Sequence, residues 1–189
     1  MFSFNYYTPT EIRFGKGTAD QAGEYVKKYH GTRVLIHYGG GSVVRTGLLE
    51  RVKASLDQAG ITHVELGGVV PNPRLSKVYE GIRLCREEKV DFLLAVGGGS
   101  VIDSAKAIGY GLTSDRDVWD LFEHTRTAQS CMPLGCILTI AAAGSEMSNS
   151  CVITNEANGK KRAYNNDIAR PRFAILDPEL TMTLPDYQT

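Results

Sequence analysis

Apolar residues recur along this chain in two alternating rhythms. Short apolar runs, Arg33-Val-Leu-Ile-His-Tyr38, Phe92-Leu-Leu-Ala-Val96, Pro133-Leu-Gly-Cys-Ile-Leu-Thr139-Ile and Phe173-Ala-Ile-Leu-Asp177, read as strands buried on both faces. Between them apolar positions return every three or four residues, the spacing of a helix with one buried side. Ala22, Val26 and Tyr29 mark one such helix, Leu48, Val52 and Leu56 a second, and Val78, Ile82 and Cys85 a third that opens at Ser76. Gly31 and Gly60 close the first two. Ile61–Leu66 is a further strand, Pro71-Asn72-Pro73 a rigid loop, and residues 113–130, with Trp119, Leu121 and Phe122, a short helix and a loop. Residues 2–14 carry Phe4, Tyr6, Ile12 and Phe14 around Pro9 and predict a strand or hairpin; Thr18 with Gln21 fits a capping box. Cys151–Thr154 and Lys161–Tyr164 flank Asn158-Gly159, a hairpin signal. Strands alternating with helices predict an α/β fold, a parallel sheet with helices on both faces, with a β-hairpin near 150–165.

The third rhythm is glycine at strand ends. Gly97-Gly98-Gly99-Ser100 follows the run 92–96 and precedes helical spacing. Glycine lets backbone turn sharply and approach a ligand closely. Ser100 is a suitable N-cap, and a helix N-terminus offers free N–H groups to a phosphate. A bare strand-to-helix turn needs only one glycine. Gly39-Gly40-Gly41-Ser42 repeats the arrangement after the run 33–38. Right-handed crossovers would bring both turns to the carboxyl edge of the sheet, where open α/β sheets bind ligands. Two such turns suit an extended ligand, a dinucleotide, although the usual Gly-x-Gly-x-x-Gly fingerprint is absent. No carboxylate ends the first strand to bind a ribose 2′-hydroxyl, and Ser42 and Arg45 stand nearby, which favours NADP(H) over NAD(H).

Asp103 sits one turn into the helix after Ser100, either near the nucleotide or simply as a first-turn acidic residue. Lys106 reads as an ordinary surface lysine. Thr139-Ile-Ala-Ala-Ala-Gly144-Ser145-Glu146-Met-Ser148 follows a strand and offers small residues and hydroxyls to a ligand, or else packs as a small-residue helix start. The histidines, His30, His37, His63 and His124, are scattered without metal-ligand spacing, and His37, inside a strand, reads as a packed histidine.

Bulk composition narrows the field. The 189 residues suffice for one domain, and 21 basic against 21 acidic side chains leave no net charge. No basic block or basic–aromatic stripe points to nucleic acid, and no run of apolar residues is long enough to span a membrane. The first residues lack the pattern of a signal peptide. Cys85, Cys131, Cys136 and Cys151 form no Cys-x-x-Cys pair and read as reduced thiols of a cytoplasmic protein.

Several of these motifs together resemble a family. Gly97-Gly-Gly-Ser-Val-Ile-Asp103-Ser-Ala-Lys106, Tyr38-Gly-Gly-Gly-Ser42, Pro71-Asn-Pro73, Leu138-Thr139, Gly144-Ser-Glu146, and Asp177-Pro178 followed by Leu184-Pro185 are similar, in order, to the iron-containing (group III) alcohol dehydrogenases, nearest their butanol-dehydrogenase-like branch. The resemblance implies a dehydroquinate-synthase-like nucleotide-binding domain over residues 1–189. A C-terminal helical domain, with Fe2+ or Zn2+ held by an aspartate and histidines, is expected beyond residue 189. It also implies small alcohols and aldehydes as substrates and a homo-oligomer, a dimer, in the full-length form. By resemblance, Gly98, Gly99 and Ser100 hold the pyrophosphate, and Gly39, Gly40 and Ser42, with Gly41, meet the adenosine ribose or its phosphate. Asp103 lies near the nicotinamide, Thr139, Ser145 and Ser148 line the cleft, and Lys161 matches a family lysine that approaches the cofactor. Ala141, Ala142 and Ala143 depart from the proline and threonine the family often carries there. Asp186 lies too early for the family's metal aspartate. The chain alone is expected to be inactive. A non-catalytic nucleotide-binding or interaction module and a glycerol-dehydrogenase-type relative are the alternatives, and an Asp-x-x-x-His downstream of residue 189 would separate the first of these from the enzyme.

Overall fold

The computed structural model describes residues 3, 4 and 6–182; the Leu184-Pro185 motif and Asp186 lie outside the described residues. The strands are β1 (Glu11–Phe14), β2 (Arg33–Gly39), β3 (Thr62–Val69), β4 (Phe92–Gly97), β5 (Leu134–Leu138), β6 (Ser150–Asn155), β7 (Lys160–Asn165) and β8 (Phe173–Leu176). The helices are α1 (Ala22–Lys28), α2 (Ser42–Arg45), α3 (Leu48–Gln58), α4 (Leu75–Glu87), α5 (Gly99–Leu112) and α6 (Trp119–Phe122). Six strands form one parallel sheet in the order β1-β8-β5-β4-β2-β3, and β6 and β7 pair as an antiparallel hairpin.

The central strands are apolar at every position because helices cover both faces. Alternation sorts their side chains. Val34, Ile36, Phe92, Leu94 and Val96 join the core under α1 and α3, while Leu35, Leu93 and Ala95 join the core under α4, α5 and the hairpin. Phe173 stacks on Phe92 with ring centroids 6.0 Å apart. The hairpin closes at Asn155 opposite Lys160, with Gly159 at φ 70° in the left-handed region that an Asn-Gly turn requires.

The strand expected within residues 2–14 is β1, which pairs in parallel with β8 and, among the described residues, has no hairpin partner. Two other local expectations give way. Thr18 does not cap a helix. Its hydroxyl donates to Gly15 O at 2.7 Å, and Gly17 in the left-handed conformation precedes a short 3-10 turn, Thr18–Gln21. Ser100 lies inside α5, whose N-cap is Gly98. The turn uses glycine backbone where the serine hydroxyl was expected.

One contact between helices has a measurable consequence. Gly23 in α1 lies against α3, and its N–H donates to the Ser55 hydroxyl at 3.0 Å. A Cβ placed on Gly23 would lie 2.1 Å from the Ser55 carbonyl oxygen. Alanine in a helix interior normally gains about 1 kcal/mol over glycine. Overlap with backbone that cannot rotate away costs about 3 kcal/mol. Gly23→Ala is therefore expected to lose about 2 kcal/mol in urea unfolding, and a gain would contradict the packing.

Candidate functional site

The register of the sheet sets the carboxyl edge. Phe14 pairs with Leu176, Leu176 with Leu138, Leu138 with Gly97, and Val96 with Tyr38. The two glycine turns thus leave adjacent parallel strands, β2 and β4, side by side, as expected. The loops after β3 and β5 flank them on the same edge.

The two turns differ in what their glycines admit. At 39–42, Gly41 has φ 115°, and Ser42 and Arg45 are exposed. Nothing lies within 4 Å of a Cβ placed on Gly40, so its backbone fronts open space. At 97–100 the space is shared with protein. A Cβ on Gly98 would lie 2.6 Å from Ile140 Cγ2, and one on Gly99 2.9 Å from Ala143 Cβ. The loop after β5 therefore folds down onto the β4–α5 turn, and Thr139 N–H donates to Gly97 O at 3.2 Å. The N–H groups of Val101 and Ile102 return to Gly98 O, while those of Gly99 and Ser100 lie at the open end of the helix. Such an end attracts an anion.

Beneath this turn lies a network that the sequence did not place. Lys106 is fully buried, and the surface position expected for it is wrong. Its ammonium donates to the carbonyl oxygens of Ser145 at 2.7 Å, Ser148 at 2.9 Å and Ser150 at 2.9 Å. One turn earlier, Asp103 Oδ1 accepts from the Ser145 hydroxyl at 2.5 Å, and Oδ2 accepts from Val152 N–H at 3.0 Å. Both carboxylate oxygens are thus engaged with the loop and the hairpin. Burial raises the Asp103 pKa, against the opposing pull of those two hydrogen bonds and of Lys106 and Lys161. Burial lowers that of Lys106, and the Asp103 charge opposes it. The signal was available: Asp103 and Lys106 are the two charged residues of a helix whose other residues are uncharged, three positions apart.

Ser145, buried, and Ser148, half-buried, meet at the Lys106 ammonium, while Thr139, half-buried, stands at the start of the same loop after β5. Lys161, exposed on β7, donates to Asn72 Oδ1 at 2.7 Å and so meets the Pro71–Pro73 loop beyond β3. Thr154 N–H also donates to Pro73 O at 2.8 Å, which ties the hairpin to that loop. A pocket of about 250 Å³ opens at the ends of β1, β5 and β8, lined by Phe14, Leu138, Ala141, Leu176 and Pro178 together with the polar residues Glu146, Asp177 and Thr181. Sequence reading missed it, because its walls come from three strand ends far apart in the chain.

His37 is buried, as expected, and lies between β3 and α5. Its Nδ1 is 2.9 Å from Leu66 O and its Nε2 2.9 Å from Ser104 Oγ. Burial pulls its pKa down to about 4. The cysteines are free, and burial pushes the thiols of Cys85 and Cys131 up to about 12.

The family model described as "Iron-containing alcohol dehydrogenase" matches residues 9–178. The chain belongs to that family. An iron-containing alcohol dehydrogenase relative, the probable NADH-dependent butanol dehydrogenase 2 of Bacillus subtilis, is 50% identical over 189 residues, all of this chain and 48% of that protein. The NADPH-dependent aldehyde reductase YqhD of Escherichia coli is 42% identical over 191 residues, again all of this chain and 48% of that protein. Among solved structures, the NADH-dependent butanol dehydrogenase A of Thermotoga maritima superposes with a TM-score of 0.96 at 42% identity, over 99% of this chain and 47% of that one. The chain spans about half the length of the curated relatives it matches.

The family name carries a metal. Among the described residues, no group of three or more His, Cys, Asp or Glu gathers to hold one. The described residues alone do not fit a metal site. No helix of the described residues is long and apolar enough to cross a membrane.

Proposed function

We propose that residues 1–189 form the dinucleotide-binding domain of an NAD(P)H-dependent alcohol dehydrogenase or aldehyde reductase acting on small, butanol-like alcohols and aldehydes. The observation that carries this reading is the pair of glycine turns on the adjacent strands β2 and β4, opening onto one edge of the sheet. Strands lie about 4.8 Å apart, so β2 to β8 spans about 14 Å, room for a ligand laid across several strand ends. Gly98, Gly99 and Ser100 take the pyrophosphate on the free N–H groups of α5. Gly39, Gly40, Gly41 and Ser42 take the adenosine ribose. Thr139, Ser145 and Ser148 wall the cleft, Lys161 brings a positive charge to it from the hairpin, and Asp103 stands at the nicotinamide end. The pocket beside Leu138 and Leu176 is apolar enough to receive a ring. When bound, the nicotinamide supplies or accepts the hydride.

Ser42 and Arg45, exposed beside a strand end without a carboxylate, support NADP(H) over NAD(H). The family resemblance supports a helical domain in the full-length protein that supplies the Fe2+ or Zn2+ ligands, a dimer, and a cytoplasmic location. Titration of the 189-residue chain with NADH and NADPH, followed by nicotinamide fluorescence, tests the reading. Both are expected to bind, NADPH more tightly. NADH binding about tenfold tighter, a difference of about 1.4 kcal/mol, would reverse the cofactor preference, and binding of neither would remove the proposal. The chain alone is expected to give no butanol turnover in a metal-supplemented assay.

A further inference from the structure

We propose that Lys106 is a positioning residue for the nucleotide cleft. Its buried ammonium fixes the loop 145–150, and through it the hairpin that carries Lys161, against helix α5. The inference rests on the dinucleotide reading above.

Three observations carry it. An ammonium has three hydrogens, and here three backbone carbonyls, those of Ser145, Ser148 and Ser150, stand within 2.9 Å of Nζ. All three donors are used on a stretch of backbone that belongs to no helix and enters β6 only at Ser150. Buried carbonyls need donors, and an irregular segment cannot find them in a ladder. Lys106 supplies them. Second, the partner charge is directed at the same elements: Asp103 holds the Ser145 hydroxyl and the Val152 N–H. Two side chains of one helix therefore clamp both ends of segment 145–152. Third, the same helix begins at Gly99 with Gly98 as its N-cap, so the clamp sets the loop relative to the turn on which Ile140 and Ala143 rest.

A Ser–Lys catalytic pair is the competing reading of these atoms, since Lys106 Nζ also lies 3.1 Å from Ser145 Oγ. The hydrogen bonding opposes it. The Ser145 hydroxyl donates to Asp103, and an ammonium with three carbonyl acceptors holds its protons. A buried ion is costly, and a methionine of similar length would avoid that cost only by leaving the carbonyls of Ser145, Ser148 and Ser150 without this donor. What the charge supplies is the fixed backbone of the loop.

The test compares Lys106→Ala with the wild-type chain by NAD(P)H titration and by amide exchange over residues 144–152. The variant is expected to weaken dinucleotide binding about tenfold and to speed exchange in that segment. Added ammonium or potassium ions, which fit the vacated carbonyl cage, are expected to restore binding, while tetramethylammonium at equal ionic strength is not. A merely structural lysine would lower Tm without this ion-selective recovery. A folded variant whose affinity and exchange match the wild type overturns the proposal. Should Lys106→Ala not fold, Lys106→Arg replaces it: a planar guanidinium cannot serve three convergent carbonyls, and equal affinity in that variant is the overturning result. Should neither fold, exchange in the wild-type chain decides at the amides of Ser150 and Val152, which donate to the Ser148 hydroxyl and to Asp103: protection there supports the clamp, and fast exchange refutes it. A wild-type chain that binds no dinucleotide removes the functional reading, and the exchange arm still tests the clamp.

Discussion

Gly98→Ala is expected to weaken dinucleotide binding about 100-fold, about 2.7 kcal/mol, while the chain stays folded. The backbone at Gly98, with φ −88° and ψ −170°, is open to any residue, so the effect comes from space alone. The new methyl would lie 2.6 Å from Ile140 Cγ2. Ile140 is β-branched and has few rotamers to escape into. Its neighbour Thr139 is tied to Gly97 O. The loop must therefore swing, taking Ala143 off Gly99, and the methyl also occupies the approach to the N–H groups of the helix end. Loss of the glycine N-cap adds about 1 kcal/mol of instability, a Tm decrease of about 2–4 °C. Gly40→Ala is the control, since its Cβ meets no heavy atom within 4 Å and folding should be untouched. A Gly98→Ala chain that titrates like the wild type would show that phosphate does not bind at this turn.

Much of the fold was legible because its signals are local. Buried parallel strands are apolar without interruption, and the runs ending at Val96 and Leu176 announced themselves. The hairpin was legible in Asn158-Gly159, whose second residue must adopt positive φ. What escaped depends on distant partners. Thr18 and Ser100 have the chemistry of caps, but at each site a glycine backbone adopted the turn first, and the hydroxyls were left with other work or none. Lys106 escaped because a lysine is exposed by default, and its burial rests on three carbonyls about forty residues downstream. The glycines at 97–99 were read as room for a ligand. They are also room for Ile140 and Ala143, a contact that no spacing rule reveals.

His37 is expected to make this chain lose stability in mild acid. Its Nδ1 faces the Leu66 carbonyl, which can only accept, so that nitrogen carries the hydrogen. Nε2 is then left to accept from the Ser104 hydroxyl, and the neutral ring is fully satisfied. Burial is the chief cause that holds the pKa at about 4 against the ordinary 6.5; the Leu66 hydrogen bond and Glu80 oppose it, and Lys77 assists. The folded-state pKa lies below the unfolded one, so below pH 6.5 the unfolded chain takes up a proton that the native chain refuses. Stability is full above pH 6.5 and falls as the pH drops towards 4. The linkage amounts to about 2 kcal/mol between pH 7 and pH 5 and about 3 kcal/mol by pH 4. Carboxylates elsewhere also titrate in this range, so the informative quantity is the difference between the wild type and His37→Gln. Urea unfolding of both at pH 7 and pH 5 should show the wild type losing about 2 kcal/mol more than the variant. Parallel losses would mean that the ring accepts a proton in place, with the Ser104 hydroxyl turned to receive it, and that the floor under α5 is more polar than its packing indicates.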